Sequence, residues 1–553
     1  MDAERRESEL APYAGRWVAL AGGRVVGVGD TQREAYLAAK SCRPKEEPIN
    51  VTFVPGDAGP EGETACDLGR LFAADTLAGK ARQVLLQGAP VAYLVGGSVR
   101  DFLLGRESHD WDFAVPANAL ALGRRIADAL GAAFYPLDAE RGTARVVIRE
   151  AAGGRAFVDI ATLYGGDIES DLAARDFTLN ALAIDLRELR LIDPMGGRRD
   201  LAERRLRLVS DHALIDDPIR AVRAVRLAAE LALSIEPATE EILARDGRLL
   251  TQTSPERIRD EVARIMALPA AAPLRRLERL GLLSHFWPEL PALRAVTQSP
   301  PHRLNVWEHT LLTVSRLEAL LAGVLGELPS AASQALEGLQ DWLPALRRRL
   351  EQPLSEARPR WLALKLAALL HDVGKPAAQK DEEGRMRFFG HEALGSELAG
   401  EMLSRLRFSA AESEYVRSVV RHHMRPAALA RAGVSAVAAH RYYRDAAAVG
   451  LDIPLLSLAD AWALAPGAAL PAQWPALVEV CSALWRYRLA QDSPEQRPAL
   501  VSGRDLLACG VPAGPQVGRW LRLIREQQVS GALQTKEDAL RWVREALESQ
   551  KRV

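Results

Sequence analysis

The sequence predicts an α+β protein: a small β-hairpin and helix module, then an α/β head, then an all-helical remainder. Three observations carry that reading. The apolar run Val91 to Val95 breaks at Gly96-Gly97-Ser98, and helical spacing begins near Val99, a strand–turn–helix unit. Strand-like and helical stretches then alternate to about residue 205. After Leu206 the chain is rich in Ala, Leu and Arg, with Ile219, Val222, Val225 and Leu231 on core-facing helical stripes.

Each element follows from local signals. Residues 1–58 read as a small accessory α+β module. Trp17 to Ala21 and Arg24 to Val28 flank Gly22-Gly23, a hairpin signal. Thr31 with Glu34 is a capping box for a short helix to about Ser41, and Val51 to Pro55 reads as a third strand. No catalytic residue type stands out there, and Pro55 to Glu63 is a linker. Residues 67–205 form the head and 206–290 a helical neck. Residues 291–480 form a second catalytic unit, with an insertion near 321–360 that contains Arg347-Arg348-Arg349, read as a solvated face. Residues 481–553 form a helical tail, where Arg519, Arg522 and Arg525 are candidates for phosphate contact.

Composition bounds the function. A chain of 553 residues exceeds one core and should hold about three or four compact units. Hydrophobic content of 48% and charged content of 26% are those of a soluble globular protein. A formal net charge of −1 excludes a whole-molecule field for nucleic acid, so any polyanion site depends on local arginines. Cys42, Cys66, Cys481 and Cys509 form no CxxC pair, which suits a reducing cytosol. No apolar segment follows Met1-Asp2-Ala3-Glu4-Arg5-Arg6, and no run approaches the ~20 residues of a membrane span. A cytoplasmic protein without membrane partners is expected.

The head carries the most specific chemistry. Asp110 and Asp112 are two apart on a predicted strand, so both carboxylates face one side and can share divalent ions while Trp111 turns away. The preceding glycine turn lets backbone N–H groups approach a polyphosphate, and the helix behind it adds its positive end. A phosphate cradle beside paired acids points to phosphoryl or nucleotidyl transfer assisted by two metals. Asp159, on the strand Ala156 to Ala161, is either a third carboxylate of that site or the partner of an arginine. Arg175-Asp176-Phe177-Thr178-Leu179-Asn180, Asp193-Pro194-Met195-Gly196-Gly197, Asp216-Asp217-Pro218-Ile219-Arg220 and Ser254-Pro255-Glu256-Arg257 follow in order.

This ordered series, over roughly residues 85–265, resembles the class II tRNA nucleotidyltransferase and bacterial poly(A) polymerase family, within the polymerase β-like superfamily. The resemblance implies that Gly96, Gly97, Ser98 and Arg100 hold the triphosphate and that Asp110 and Asp112 ligate Mg2+, with Asp159 a further catalytic candidate. It places Arg175, Asp176 and Asn180 near the sugar and phosphates, and Asp217 and Arg220 against the base. A carboxylate accepts from the amine of C or A, and an arginine donates to the adjacent ring nitrogen. One pair at i and i+3 of a helix can therefore read either base. Three departures stand out: Ala174 where the family usually has a basic residue, Asp216 where it usually has Glu, and only Leu163 to Ala174 before Arg175. Members that add a terminal A after two Cs generally have a longer flexible loop there, so the short connection favours addition of C.

Half of the ten histidines fall in a second pattern: His309, His371-Asp372, His391 and His422-His423, closed by Asp460. Imidazole with carboxylate suits Mn2+, Fe2+, Ni2+ or Mg2+ rather than structural zinc. The order resembles the HD superfamily of metal-dependent phosphohydrolases. By that resemblance His309, His371, Asp372 and Asp460 hold one metal, and His391, His422 and His423 would complete a second. The combined expectation is an enzyme adding C, with A left open, from CTP or ATP to the 3′ end of tRNA. A phosphohydrolase activity of the helical domain is also left open. The rivals are a poly(A) polymerase, or an HD phosphohydrolase with a relic head.

Overall fold

The computed structural model describes residues 17–21, 24–29, 38–39, 50–53, 68–149, 154–326, 332–355, 358–465, 467, 469–490 and 497–551. The chain divides into two compact units, Met1–Arg220 with Glu230–Asp246, and Ala221–Ala229 with Gly247–Val553.

In the first unit, β1 (Trp17–Ala21), β2 (Arg24–Gly29) and β3 (Asn50–Phe53) form an antiparallel sheet in the order β2-β1-β3. The Gly22-Gly23 turn, the Thr31–Glu34 capping box and the Pro55–Glu63 linker lie outside the described residues. After α1 (Leu77–Gly88) comes a seven-stranded mixed sheet of β4 (Tyr93–Val95), β5 (Asp110–Val115), β6 (Ala133–Asp138), β7 (Thr143–Arg149), β8 (Arg155–Thr162), β9 (Ala183–Asp185) and β10 (Arg190–Ile192). Its order is β10-β9-β4-β5-β8-β7-β6, and β5 with β8 is its parallel pair. The helix α2 (Gly97–Leu103) follows β4 through Gly96. The helix α3 (Ala119–Leu130) lies against the sheet at Gly123, where a Cβ would come 2.9 Å from that of Ala144.

β5 is graded along its length. Asp110 is exposed and Trp111 and Asp112 are half-buried, whereas Phe113, Ala114 and Val115 are core. The apolar end anchors the strand and leaves the acids at its open end. The interval Leu163 to Ala174 is compact: Gly165 (φ 71°) and Gly166 (φ 88°) turn the chain into α4 (Ile168–Ala173), whose first turn is capped by Asp167 accepting from Ser170 N.

One local expectation is corrected. Asp217 and Arg220 do not share a helical face. A short helix, Ala213–Asp216, ends at Asp217, which is extended (φ −152°, ψ 97°), and α5 (Arg220–Glu230) starts at the arginine. Pro218 is the reason, because its ring disfavours helical geometry in the residue before it.

The second unit is helical, and it positions its histidines on helix ends. α6 (Val306–Leu325) is capped by Asn305 accepting from Glu308 N, and α7 (Arg360–Leu370) ends at His371. α8 (His391–Arg405) begins with His391. α9 (Ala410–His422) opens with a Ser409–Glu412 capping box and ends at His423, and α10 (Ile453–Trp462) carries Asp460. Gly374 permits a close approach, since a Cβ there would lie 2.2 Å from His391 O and 2.5 Å from Gly395 N. Within the insertion, a helix Leu343–Leu350 precedes the strand pair Pro353–Ser355 and Arg358–Pro359.

The arginine triplet is not uniformly solvated. Arg347 and Arg348 are exposed, but Arg349 donates to both oxygens of Asp452 (2.6 and 3.0 Å), a carboxylate with no exposed surface. Tyr415 Oη also donates to it at 3.0 Å. A buried carboxylate needs such a counter-cation, and the triplet supplies it. In the tail, α11 (Pro515–Val529) and α12 (Lys536–Lys551) pack around Leu506, Ile524, Ala539 and Val543, with Trp520 and Trp542 edge to face at 5.6 Å. Arg519 and Arg522 are exposed on α11, whereas Arg525 donates to Arg497 O and Gln528 Oε1. Among the described residues no helix is long and apolar enough to cross a membrane.

Candidate active site and metal centre

In the head, parallel pairing of β5 with β8 sets Asp112 beside Asp159 and Asp110 beside Phe157. Ser98 ties the glycine turn to the acidic strand: its Oγ donates to Asp110 O (2.9 Å) and accepts from Asp112 N (3.0 Å). Gly96 has φ +74°, and a Cβ on it would lie 2.4 Å from Arg175 Nη1 and 3.9 Å from Asp112 Oδ2. Only glycine lets the guanidinium and the carboxylate converge on this turn. Burial, then the neighbouring Asp159 charge, against the opposing pull of Arg175, pushes the Asp112 carboxyl up to about 6. Such a carboxylate gains from a bound cation, and two hard oxygen donors suit Mg2+.

Asp159 sits at the right register, but its carboxylate is gripped by Arg145, with Nε–Oδ1 2.8 Å and Nη2–Oδ2 2.7 Å. Of the two readings of this residue, the arginine pair is the one the geometry displays. Arg145 faces Asp159 across the antiparallel β7–β8 pair, a partnership that lies 14 residues apart in the chain.

Arg100, Asn180 and Asp176 form a chain of hydrogen bonds. Arg100 Nη1 donates to Asn180 Oδ1 (2.6 Å), and Asn180 Nδ2 donates to Asp176 Oδ1 (2.9 Å). Arg100 also pairs with Asp101 through Nε and Nη2, both at 2.9 Å. Arg100 is 7% and Asp176 8% exposed, so this network is an internal brace behind the turn. Arg220 donates to Ala174 O (2.8 Å) and Ala213 O (3.2 Å). Its terminal nitrogens thus serve the backbone next to Arg175, while Asp217 is half-buried just ahead.

The helical unit gathers a denser set. The ligand atoms of His309, His371 and Asp372 lie within 4.8 Å of one another, as do those of Asp372, His391 and His423. Asp460 Oδ1 is 2.8 Å from His309 Nε2 and 3.8 Å from His371 Nε2. Nδ1 of His371, His391 and His423 meets the carbonyl of Ala368 (2.8 Å), Phe388 (2.8 Å) and Val420 (2.6 Å) respectively. A carbonyl can only accept, so each Nδ1 carries a proton, and in the neutral ring Nε2 is the nitrogen left with a lone pair. Those three Nε2 atoms are buried and lack a hydrogen-bond partner. Burial, with the adjacent His371, pushes His423 down to about 4, which keeps its Nε2 unprotonated at neutral pH. Orphaned lone pairs aimed at one carboxylate are the donor set of a divalent metal, and the residues fit it.

His422 is not among them. It is the last residue of α9, one position before His423, and is half-buried beside Arg421 and Arg425, because successive helical residues point about 100° apart. Two neighbours carry no role in the sequence reading. Lys375 is buried, with Nζ 2.7 Å from Asp372 Oδ2 and 2.6 Å from Gln298 Oε1. The His302 ring lies 5.0 Å from that of His309. The Gly-Lys after His371-Asp372 was a visible signal for the lysine; His302 had none.

Comparisons with known proteins agree with this geometry. Residues 92–207 match the "Poly A polymerase head domain" family, and 232–293 the "Probable RNA and SrmB- binding site of polymerase A" family. Residues 348–463 match the "HD domain" family, and 9–57 a family of unknown function (DUF5678). The A-adding tRNA nucleotidyltransferase of Deinococcus radiodurans is 34% identical over 473 residues, covering 82% of this chain and 95% of that protein. The CC-adding tRNA nucleotidyltransferase of Thermus thermophilus is 36% identical over 461 residues, covering 81% and 92%. A solved CCA-adding enzyme with ATP has the same fold at TM-score 0.59 and 20% identity, over 87% of this chain and 98% of that one. With its acid-bearing strand beside a glycine turn and relatives matched along most of their length, the chain belongs to the tRNA nucleotidyltransferase family and is a nucleotidyltransferase.

Proposed function

We propose that the enzyme adds C from CTP to the 3′ end of tRNA, and that its helical domain is a metal-dependent phosphohydrolase. The observation that carries the first part is the convergence of Asp112 and Arg175 on the Gly96 turn, with Asp110 two residues before Asp112 on the same strand. Asp110 and Asp112 hold the divalent ions of the head, and His309, His371, Asp372, His391, His423 and Asp460 those of the helical domain. When bound, these ions supply charge neutralisation and a lowered pKa for the attacking oxygen.

The chain's own residues do the rest. Backbone N–H groups at Gly97 and Ser98 face the triphosphate, helped by the N-terminal end of α2. The Arg175 guanidinium adds positive charge over the turn. The Asp217 carboxylate accepts from the amine of the incoming base, and Arg220 seats that segment through the Ala174 and Ala213 carbonyls. The 3′-hydroxyl of tRNA then attacks the α-phosphate and pyrophosphate leaves. The short Leu163–Ala174 connection, closed by two glycines and a capped helix, favours one nucleotide over a pocket that changes shape.

The test is incubation of tRNA lacking its CCA end, and of tRNA ending in CC, with CTP and ATP separately, reading added length. One or two C residues from CTP support the proposal. A single A on a CC-ended tRNA identifies an A-adding enzyme, and long A tracts identify a poly(A) polymerase; either result overturns it. Mg2+ in the head and Mn2+, Fe2+, Ni2+ or Mg2+ in the helical domain are the ions to supply.

A further inference from the structure

Arg175 lies beyond the end of α4, and its side chain turns back along that helix. Nε and Nη2 donate to Asp171 Oδ2 at 3.2 and 2.9 Å. The remaining corner, Nη1, rests over Gly96, 2.4 Å from where a Cβ would be. The guanidinium is therefore held by one edge and offered by the other. Its second edge points at the turn where the triphosphate must lie. The other oxygen of Asp171, Oδ1, accepts from Tyr164 N at 3.1 Å. One carboxylate thus binds both ends of the Leu163–Ala174 connection, its start through a backbone amide and its finish through Arg175.

An ordinary i,i+4 pair on a helix surface contributes little. This one differs in three respects: both side chains are three-quarters or more buried (25% and 14% exposed), the arginine is outside the helix, and the carboxylate has a second partner on another segment.

We propose that Asp171 is a positioning residue for nucleotidyl transfer, holding Arg175 in the orientation that meets the nucleotide phosphates and clamping the short connection to it. The inference rests on the reading of the head as the site of CTP addition. Asp171 touches no substrate; it acts through Arg175.

The experiment is steady-state kinetics of CTP addition by the full-length enzyme carrying Asp171→Ala, Asp171→Asn, Arg175→Ala or the Asp171→Ala/Arg175→Ala pair. Asp171→Ala should raise KM for CTP about tenfold with kcat changed less than about threefold. Asp171→Asn, which keeps an acceptor for Tyr164 N and loses the charge, should fall between wild type and Asp171→Ala. In the Arg175→Ala background, Asp171→Ala should add no further effect on KM, because its route to the nucleotide is gone. Additive effects, or an unchanged KM in Asp171→Ala, overturn the proposal. Wild-type enzyme that does not incorporate CTP at all refutes the functional reading instead, so the two failures are distinct. Asp171→Asn keeps the test informative where Asp171→Ala does not fold.

Discussion

The two candidate sites gather metal-ligand side chains of different kinds in different surroundings. In the head, Asp110 and Asp112 sit at the more exposed end of a strand, next to the Gly96 turn. In the helical unit, His371, Asp372 and His423 are 0 to 2% exposed, and the proton on each Nδ1 is committed to a carbonyl. In the first set Asp110 is exposed and Asp112 half-buried, so solvent reaches the strand end. The second is largely buried and pre-oriented, so an ion bound there would be held as part of the fold.

The largest effect expected is that of Asp110→Ala with Asp112→Ala. Incorporation of labelled CTP should fall by about a thousandfold or more, while metal content of the helical unit stays at the wild-type level. Loss of both together would erase the distinction drawn between the sites. The reciprocal change, His371→Ala, should lower divalent-metal affinity of the helical unit by about a hundredfold, measured by metal analysis after dialysis. CTP incorporation should persist; its disappearance would mean that the buried set supports the head chemistry.

A smaller and purely structural effect calibrates both. Arg358 donates to Glu412 through Nε (2.6 Å) and Nη2 (3.2 Å), and the glutamate side chain is 2% exposed. Burial pushes the Glu412 carboxyl up, but Arg358 and Ser409 outweigh it and hold it below the usual range. The depressed value means that this pair's contribution is present above the ordinary glutamate range and is lost as pH falls through the folded-state value. Arg358→Ala should therefore cost about 3 kcal/mol in denaturant unfolding at neutral pH, with a narrower gap to wild type in acid. A gap independent of pH would remove Glu412 as its cause.

Much of the site was legible in the chain because it depends on short-range periodicity. Asp110 and Asp112 share a face since strands alternate with a period of two, and glycine at 96 announces a turn that no side chain could occupy. The mixed α+β architecture was readable from the same periods. The helix-ending His371-Asp372-Val373-Gly374 was likewise local.

What failed was reasoning that extended a local rule across an interruption. The i,i+3 argument for Asp217 and Arg220 assumed a continuous helix that Pro218 forbids. The triplet Arg347-Arg348-Arg349 looks uniform in sequence, yet its last member is drawn to a carboxylate about a hundred residues away, Asp452.

From the sequence alone came the ligand types, their order and the direction of neighbouring side chains on one element, since these follow from backbone geometry within a few residues. Tertiary structure decided the partnerships between elements: Arg145 on Asp159, Arg349 on Asp452, and His423 rather than His422 in the buried cluster. Those choices depend on which helix end or strand neighbour arrives within about 3 Å, a distance set by packing across the fold and invisible to any local pattern.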